Sequence, residues 1–304
     1  MGPMPHADHR MLLVHAHPDD ETINNGATMA RYVAEGAGVT LVTCTAGEMG
    51  EVLVPELAHL AADNDDTLGP HRREELATAM ATLGVTDHRF LGGFGTYRDS
   101  GMAWHEDGHA VAADDTREDA FWHADLTEAA DHLVQVVREV RPQVLVTYDQ
   151  FGGYGHPDHI QAHRVAMYAA TLAAVPSYRL DLGEPWDIAK VYWVGMSEGR
   201  MRESLRALRD AGDTTTFEGM DPDGDLPPFI TPDHLISTRV DGSAFVEQKL
   251  TALAQHRTQV EQDGPFFSGG ESGHAFWGEE AYRIVRGVAV PGPEGYETDL
   301  FAGV

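Results

Sequence analysis

Residues 14–21, VHAHPDDE, place two histidines, two aspartates and a glutamate directly behind the apolar run MLLV at 11–14. Burying an ionised group costs several kcal/mol unless it is paired or bound to a metal. A strand end loaded this way is either a solvated turn or a site. A second cluster of the same kind, YDQFGGYGHPDH at 148–159, follows a second β-rich run. Histidine and carboxylate ligands without cysteine suit zinc or ferrous iron in a catalytic site, with three protein ligands and one open position. His17 and Asp20 from the first cluster, plus one histidine from the second, supply such a set. Spacing leaves that histidine open, because His156 and His159 are three apart while His159 and His163 are four apart on a predicted helix. His15 precedes His17 by two and shares its strand face, which reads as a packed histidine supporting the site.

The elements that must position these groups alternate strand and helix. Strands are predicted over 10–17 (RMLLVHAH), 39–46 (VTLVTCTA), 88–93 (HRFLGG), 143–149 (QVLVTYD) and 190–196 (KVYWVGM). Helices are predicted over 24–36, 71–84, 124–140, 159–175 and 245–256. In the second helix Leu76, Met80 and Leu83 recur at i, i+4, i+7, and Gly84 stops it. In the third, Leu126, Ala130, Leu133, Val137 and Val140 share a face. This spacing predicts an α/β, Rossmann-like fold: a mostly parallel sheet with helices on both faces. With the common order 3-2-1-4-5, ligands bind beyond the carboxyl ends of strands 1 and 4, where the two clusters fall. Residues 11–175 read as this Rossmann-like metal-site core. Residues 176–304 read as a smaller C-terminal cap region continuous with it. There GMDPDGDLPPFITPDH, 219–234, is a loop whose DPDGD lacks the glycine and distal glutamate of a calcium loop, and PFFSGGESGHAF, 265–276, is a loop or a lid.

The net charge is −28, from 49 acidic and 21 basic residues. That field repels nucleic acid and anionic membrane surfaces, so neither is expected as a partner. The single cysteine, Cys44, excludes an internal disulfide and reads as a buried structural thiol. No signal peptide and no apolar run of membrane-spanning length is found, and a cytoplasmic location is expected. Nothing in the pattern sets an oligomeric state.

AHPDDE with GHPDH resembles the PIG-L/LmbE-like family of zinc-dependent N-acetylglucosamine deacetylases. VTCTAGEMGEV, LGGFGTYRDSGMA, VTYDQFGGYGHPDH and the tail GYETDLFAGV bring the resemblance nearest to the branch that deacetylates N-acetylglucosaminyl-inositol in mycothiol biosynthesis. It runs from about residue 11 to the C-terminus and is weakest over roughly 176–285. The resemblance implies one divalent metal per chain, zinc with ferrous iron as the alternative, held by His17, Asp20 and His159. It implies Asp19 as the general base toward water. His156 is implied as general acid or as electrostatic partner of the tetrahedral intermediate, with Asp158 orienting its ring. Tyr154 is implied as donor to the oxyanion. Arg72, Asp99 and Glu51 match positions that contact the hydroxyls of a sugar–inositol substrate. The rival within the family is a mycothiol S-conjugate amidase with the same metal site. A metallophosphoesterase would want two metals and basic groups for phosphate. A non-catalytic sugar-binding or metal-sensing protein would leave Asp19, His156 and Tyr154 without roles.

Overall fold

The computed structural model describes residues 6–210, 212–227, 229–262, 264, 266–267 and 276–304. In chain order the elements are β1 (Arg10–His15), α1 (Asp20–Ala34), β2 (Gly38–Thr43), α2 (Leu68–Leu83), β3 (Asp87–Phe90), β4 (Ala103–Trp104), β5 (Ala110–Val111) and α3 (Leu126–Val140). They continue as β6 (Val144–Thr147), α4 (Gly152–Gly155), α5 (Pro157–Leu172), β7 (Lys190–Ser197), α6 (Glu198–Asp210), β8 (Ile230–Thr231), β9 (Thr238–Asp241), α7 (Val246–Leu253) and β10 (Glu279–Arg286).

The main sheet runs β3-β2-β1-β6-β7-β10-β9, with β8 paired to β7. Strands β3, β2, β1, β6 and β7 are parallel, while β10 is antiparallel to both β7 and β9. The first five follow the expected 3-2-1-4-5 order, and the order reverses between β1 and β6. The chain leaves β1 at His15 and β6 at Thr147, so HPDDE and the 148–159 cluster emerge side by side.

Strand β1 shows why this centre is rigid. Leu12 and Val14 pack in one cluster with Leu133 and Val137 of α3 and Val165 of α5. Met11 and Leu13 face the other way, with Met29, Leu76, Met80 and Tyr282. All four strand residues are fully covered, as a strand with helices on both faces requires. Helices α2 and α3 hold their predicted faces. Gly84 caps α2 at φ 79, and Asp125 caps α3 by accepting from the Thr127 and Glu128 amides.

Beyond residue 176 the sequence reading lacked α6, β9 and β10. Strands β7, β10 and β9 extend the same sheet, and α7 lies against α1 and α2. The stretch 265–276, read as a loop or lid, lies for the most part outside the described residues. Asp221–Gly224 is a turn in which the Asp221 carboxylate accepts from the Asp223 amide. Among the described residues no helix is long and apolar enough to cross a membrane.

Cys44 follows β2 and is 2% exposed, and burial pushes its thiol up from the ordinary value. Only the thiolate reacts. Ellman's reagent should therefore titrate no thiol in the native chain and one in guanidinium chloride; ready reaction of the native protein would contradict the packing.

Candidate active site

The turn after β1 is built under strain. Asp19 is a non-glycine residue at φ 116, ψ −36, a conformation that costs of order 1–3 kcal/mol and persists only where surroundings enforce it. Here the Glu21 carboxylate accepts the Asp19 amide at 3.0 Å, and Glu21 is itself paired with the fully buried His256 at 3.2 Å. Arg72 of α2 reaches in from the other side. It donates to the carbonyls of Pro18 and Gly47 and, at 3.0 Å, to Asp19 Oδ2. The turn thus presents Asp20 inward and Asp19 at the wall of a cavity of about 450 Å³.

Asp20 is the meeting point. Its Oδ2 accepts from the His17 amide at 3.0 Å and from the Tyr148 hydroxyl at 2.7 Å. The same oxygen lies 3.3 Å from His17 Nδ1 and 3.3 Å from His159 Nε2. His159 donates through Nδ1 to the Gly152 carbonyl at 3.2 Å, which leaves Nε2 with a lone pair. That Nε2 is buried and has no hydrogen-bond partner. An orphaned imidazole nitrogen, a second one and a carboxylate converging within such distances fit a divalent cation. They are the donor set such an ion takes, and each histidine has its other nitrogen fixed.

His17 is fixed by carboxylates. Its Nε2 donates to Asp158 Oδ2 at 3.2 Å and lies 3.5 Å from Asp99 Oδ1. Asp158 meets the His156 ring through its backbone amide and serves His17 with its carboxylate. Its carboxylate accepts from Ser100 and from His17, not from His156. His156 caps α5 instead, its Nδ1 accepting from the Asp158 amide at 3.1 Å. With HPDH at a helix start, the backbone amide is nearer to His156 than the carboxylate, which turns toward β1. Burial, then His17 and His159, hold the His156 ring well below the ordinary histidine value.

Burial pushes the Asp19 carboxyl up to about 6, against the opposing charge of Arg72. That suits a group exchanging protons near neutral pH. Tyr154 lines the same cavity, its ring edge-on to His159 at 5.2 Å. Burial raises its phenol, so it remains a proton donor. It rides on α4, where Gly152 and Gly155 are sterically required. A Cβ on Gly152 would lie 2.6 Å from His159 Cβ, and one on Gly155 would lie 2.4 Å from the Ala110 carbonyl oxygen.

The structure therefore brings together His17, Asp19, Asp20, Tyr154, His156, Asp158 and His159. It leaves the expected substrate-contact residues in other duties. Arg72 is 3% exposed, and its terminal nitrogens donate to the Gly47 and Pro18 carbonyls and to Asp19, which anchors the strained turn. Asp99 is 5% exposed and accepts from the Met49 and Gly101 amides beside His17. Glu51 is exposed outside the cluster, its backbone carbonyl accepting from Gln259. His163 donates to the Tyr148 carbonyl and takes no place in the cluster. His15 is buried, 2.7 Å from Asn25 and edge-on to Tyr148, as a supporting histidine should be. Sequence reasoning missed Tyr148, Ser100 and Glu21, all inside the quoted motifs. Their signal was position alone: a hydroxyl or carboxylate one step from each ligand cluster.

The opposite wall of the cavity is apolar, with Met196, Met201, Met220, Phe229 and Trp277. Residues 12–170 match the PIG-L family, described as GlcNAc-PI de-N-acetylase. A 1D-myo-inositol 2-acetamido-2-deoxy-alpha-D-glucopyranoside deacetylase from Nocardioides sp. is 71% identical over 299 residues, covering 98% of this chain and 99% of the relative. One of the same name from Kribbella flavida is 65% identical over 298 residues, covering 98% of each. Among solved structures, N,N'-diacetylchitobiose deacetylase from Pyrococcus horikoshii shares the fold with a TM-score of 0.59 at 20% identity, covering 92% of this chain and 85% of that one. A strained aspartate beside a histidine–carboxylate cluster, on a sheet matched through residue 170 and continued by full-length relatives, leaves one conclusion: the chain belongs to the PIG-L family.

Proposed function

We propose that this chain is a divalent-metal-dependent N-deacetylase that hydrolyses the acetamide of 1D-myo-inositol 2-acetamido-2-deoxy-alpha-D-glucopyranoside, with zinc as the metal and ferrous iron as the alternative. The observation that carries the chemistry is the convergence of His159 Nε2, which makes no hydrogen bond, and His17 Nδ1 on Asp20 Oδ2, each at 3.3 Å, beside a cavity that Asp19 and Tyr154 also line. The relatives' shared name supports the substrate.

When bound at His17, Asp20 and His159, the cation supplies a Lewis acid that acidifies water and polarises an amide carbonyl. Asp19 accepts the proton of the attacking water, held in place by Arg72 and Glu21. Tyr154 donates to the oxyanion that forms on the carbonyl oxygen. His156 takes the electrostatic of its two expected roles. Its Nδ1 accepts a backbone amide, so its one ring proton sits on Nε2 and is available as a hydrogen-bond donor. The C–N bond breaks only when the amine is protonated, and Asp19 returns the proton it took. Water has then been divided between acetic acid, which keeps the hydroxyl, and the amine, which keeps the proton Asp19 returned. Asp158 holds His17, and Tyr148 holds Asp20.

Tyr154→Phe should lower kcat by about 10²–10³-fold, the usual loss of one oxyanion donor, with metal content unchanged. Loss of less than about threefold would remove Tyr154 from the oxyanion site. The substrate reading is tested by comparing acetate release from the N-acetylglucosaminyl-inositol with cleavage of a mycothiol S-conjugate by the same preparation. Faster acetate release is expected, and faster S-conjugate cleavage would overturn the choice.

A further inference from the structure

Outside the active site, one other group of ligand-forming side chains converges among the described residues. His105, Asp107 and His109 stand on the turn joining β4 to β5, with candidate ligand atoms all within 4.8 Å of one another. The hairpin imposes this arrangement. The His105 amide donates to the His109 carbonyl at 2.9 Å, so the two histidines are cross-strand neighbours, with ring centroids 4.8 Å apart. Gly108, at φ 80, reverses the chain between them. Asp107 lies at the tip, its Oδ2 3.3 Å from His105 Nδ1. The Asp107 amide also donates to that Nδ1, at 3.3 Å.

We propose that His105, Asp107 and His109 form a second divalent-cation site of the transition-metal class, whose occupancy clamps the β4–β5 hairpin. Two imidazoles and one carboxylate are donors for zinc, nickel or copper rather than for calcium or magnesium, which take oxygen ligands. His105 and Asp107 are about half and four-fifths exposed, so an ion enters without opening the fold and keeps water in its remaining positions. The clamp bears on the active site through packing. Trp104 stacks on Tyr154 at 6.1 Å between ring centroids, and Gly155 lies so close to Ala110 that no side chain fits between them. His109, Ala110 and Tyr154 line one groove of about 660 Å³. Fixing the hairpin therefore steadies the outer wall behind Tyr154. The inference stands independently of the substrate reading.

The test is a calorimetric zinc titration of the full chain already carrying its stoichiometric metal, with hydrogen exchange followed in parallel. The native protein should bind a second equivalent, and the amides of 103–111 should gain protection as it binds. Loss of a direct ligand weakens a metal site by at least the roughly tenfold typical of outer-shell changes. His105→Ala and His109→Ala should each do so, and the double variant should abolish the second equivalent while retaining the first. His59→Ala, at an exposed histidine elsewhere, should change neither. Saturation of the native chain at one equivalent would overturn the proposal. So would a second equivalent that survives in the double variant, or one that protects a different segment.

Discussion

Asp19→Asn is expected to lower kcat by about 10²–10⁴-fold, the range carried by a positioned general base, with metal content and thermal midpoint close to native. The substitution keeps the shape of the side chain. An asparagine oxygen still accepts from Arg72, and the backbone amide still donates to Glu21. What is lost is only the capacity to take a proton. The strained backbone at φ 116 sharpens the contrast. A conformation that unfavourable for a non-glycine residue is maintained by a buried ion pair, an arginine and two loops, and the one visible result is to set a carboxylate at the cavity wall beside the histidine–aspartate cluster. Undiminished turnover in Asp19→Asn would mean that another group takes the proton, or that the activity comes from a contaminant.

Glu297→Ala should destabilise the fold by about 3–5 kcal/mol, the usual result of stripping one partner from a buried ion pair. Glu297 is fully buried in the C-terminal tail. It accepts from Lys190 and Tyr192 of β7, from Thr238 of β9 at 2.9 Å and from the Val290 amide at 3.0 Å. Removing the carboxylate leaves the Lys190 ammonium, 2% exposed, without a counter-charge among the described residues, held by the Ala302 carbonyl and the face of the Tyr192 ring. At about 2.1 cal/mol/K of unfolding entropy per residue, the loss corresponds to a fall of roughly 5–8 °C in the thermal midpoint of a chain this long. Lys190→Met combined with Glu297→Leu should be more stable than Glu297→Ala alone, because no uncompensated charge remains. A midpoint within about 1 °C of native for Glu297→Ala would show that the tail contributes little. The tail's motif, GYETDLFAGV, is thus accounted for by the architecture: it fastens the antiparallel edge of the sheet.

The centre of the fold was legible because its strands are uninterrupted apolar runs, α3 carries a strong apolar face, and α2 repeats Leu76, Met80 and Leu83 before a glycine stop. Strands β1, β6 and β7 and helices α2 and α3 need no partner to be recognised. The C-terminal half was harder for a physical reason. Helix α6 has its apolar residues, Met201, Leu205 and Leu208, at the helical spacing, but they are separated by arginines and glutamates, and Met201 and Leu205 join only a small cluster with Val246 and Leu250. Strand β10 opens on Glu279 and Glu280, which reads as surface. Glu280 is in fact buried, because Lys249 of α7 pairs with it at 2.7 Å and the Ala27 and Thr28 amides of α1 donate to it. A charge neutralised by a residue 31 positions away cannot be recognised as interior from its own neighbourhood.

The same limit divides the site. Both clusters and their convergence followed from the strand ends. Which neighbour each side chain chooses did not. Asp158 turns to His17, 141 residues away, rather than to His156 two residues away. Arg72 closes over Pro18, Gly47 and Asp19 rather than toward the cavity. The assignment of His159 over His163 came from the resemblance. The structure adds a physical basis: His159 donates to the Gly152 carbonyl and turns its Nε2 to Asp20 at 3.3 Å, while His163 donates to the Tyr148 carbonyl outside the cluster.

The most direct test of the central claim is the metal content of the purified chain, paired with acetate release from the N-acetylglucosaminyl-inositol before and after chelation. The account predicts acetate release that is lost to chelator and restored by one equivalent of zinc or ferrous iron, with His159→Ala unable to recover it. Acetate release that survives removal of all metal would contradict the account.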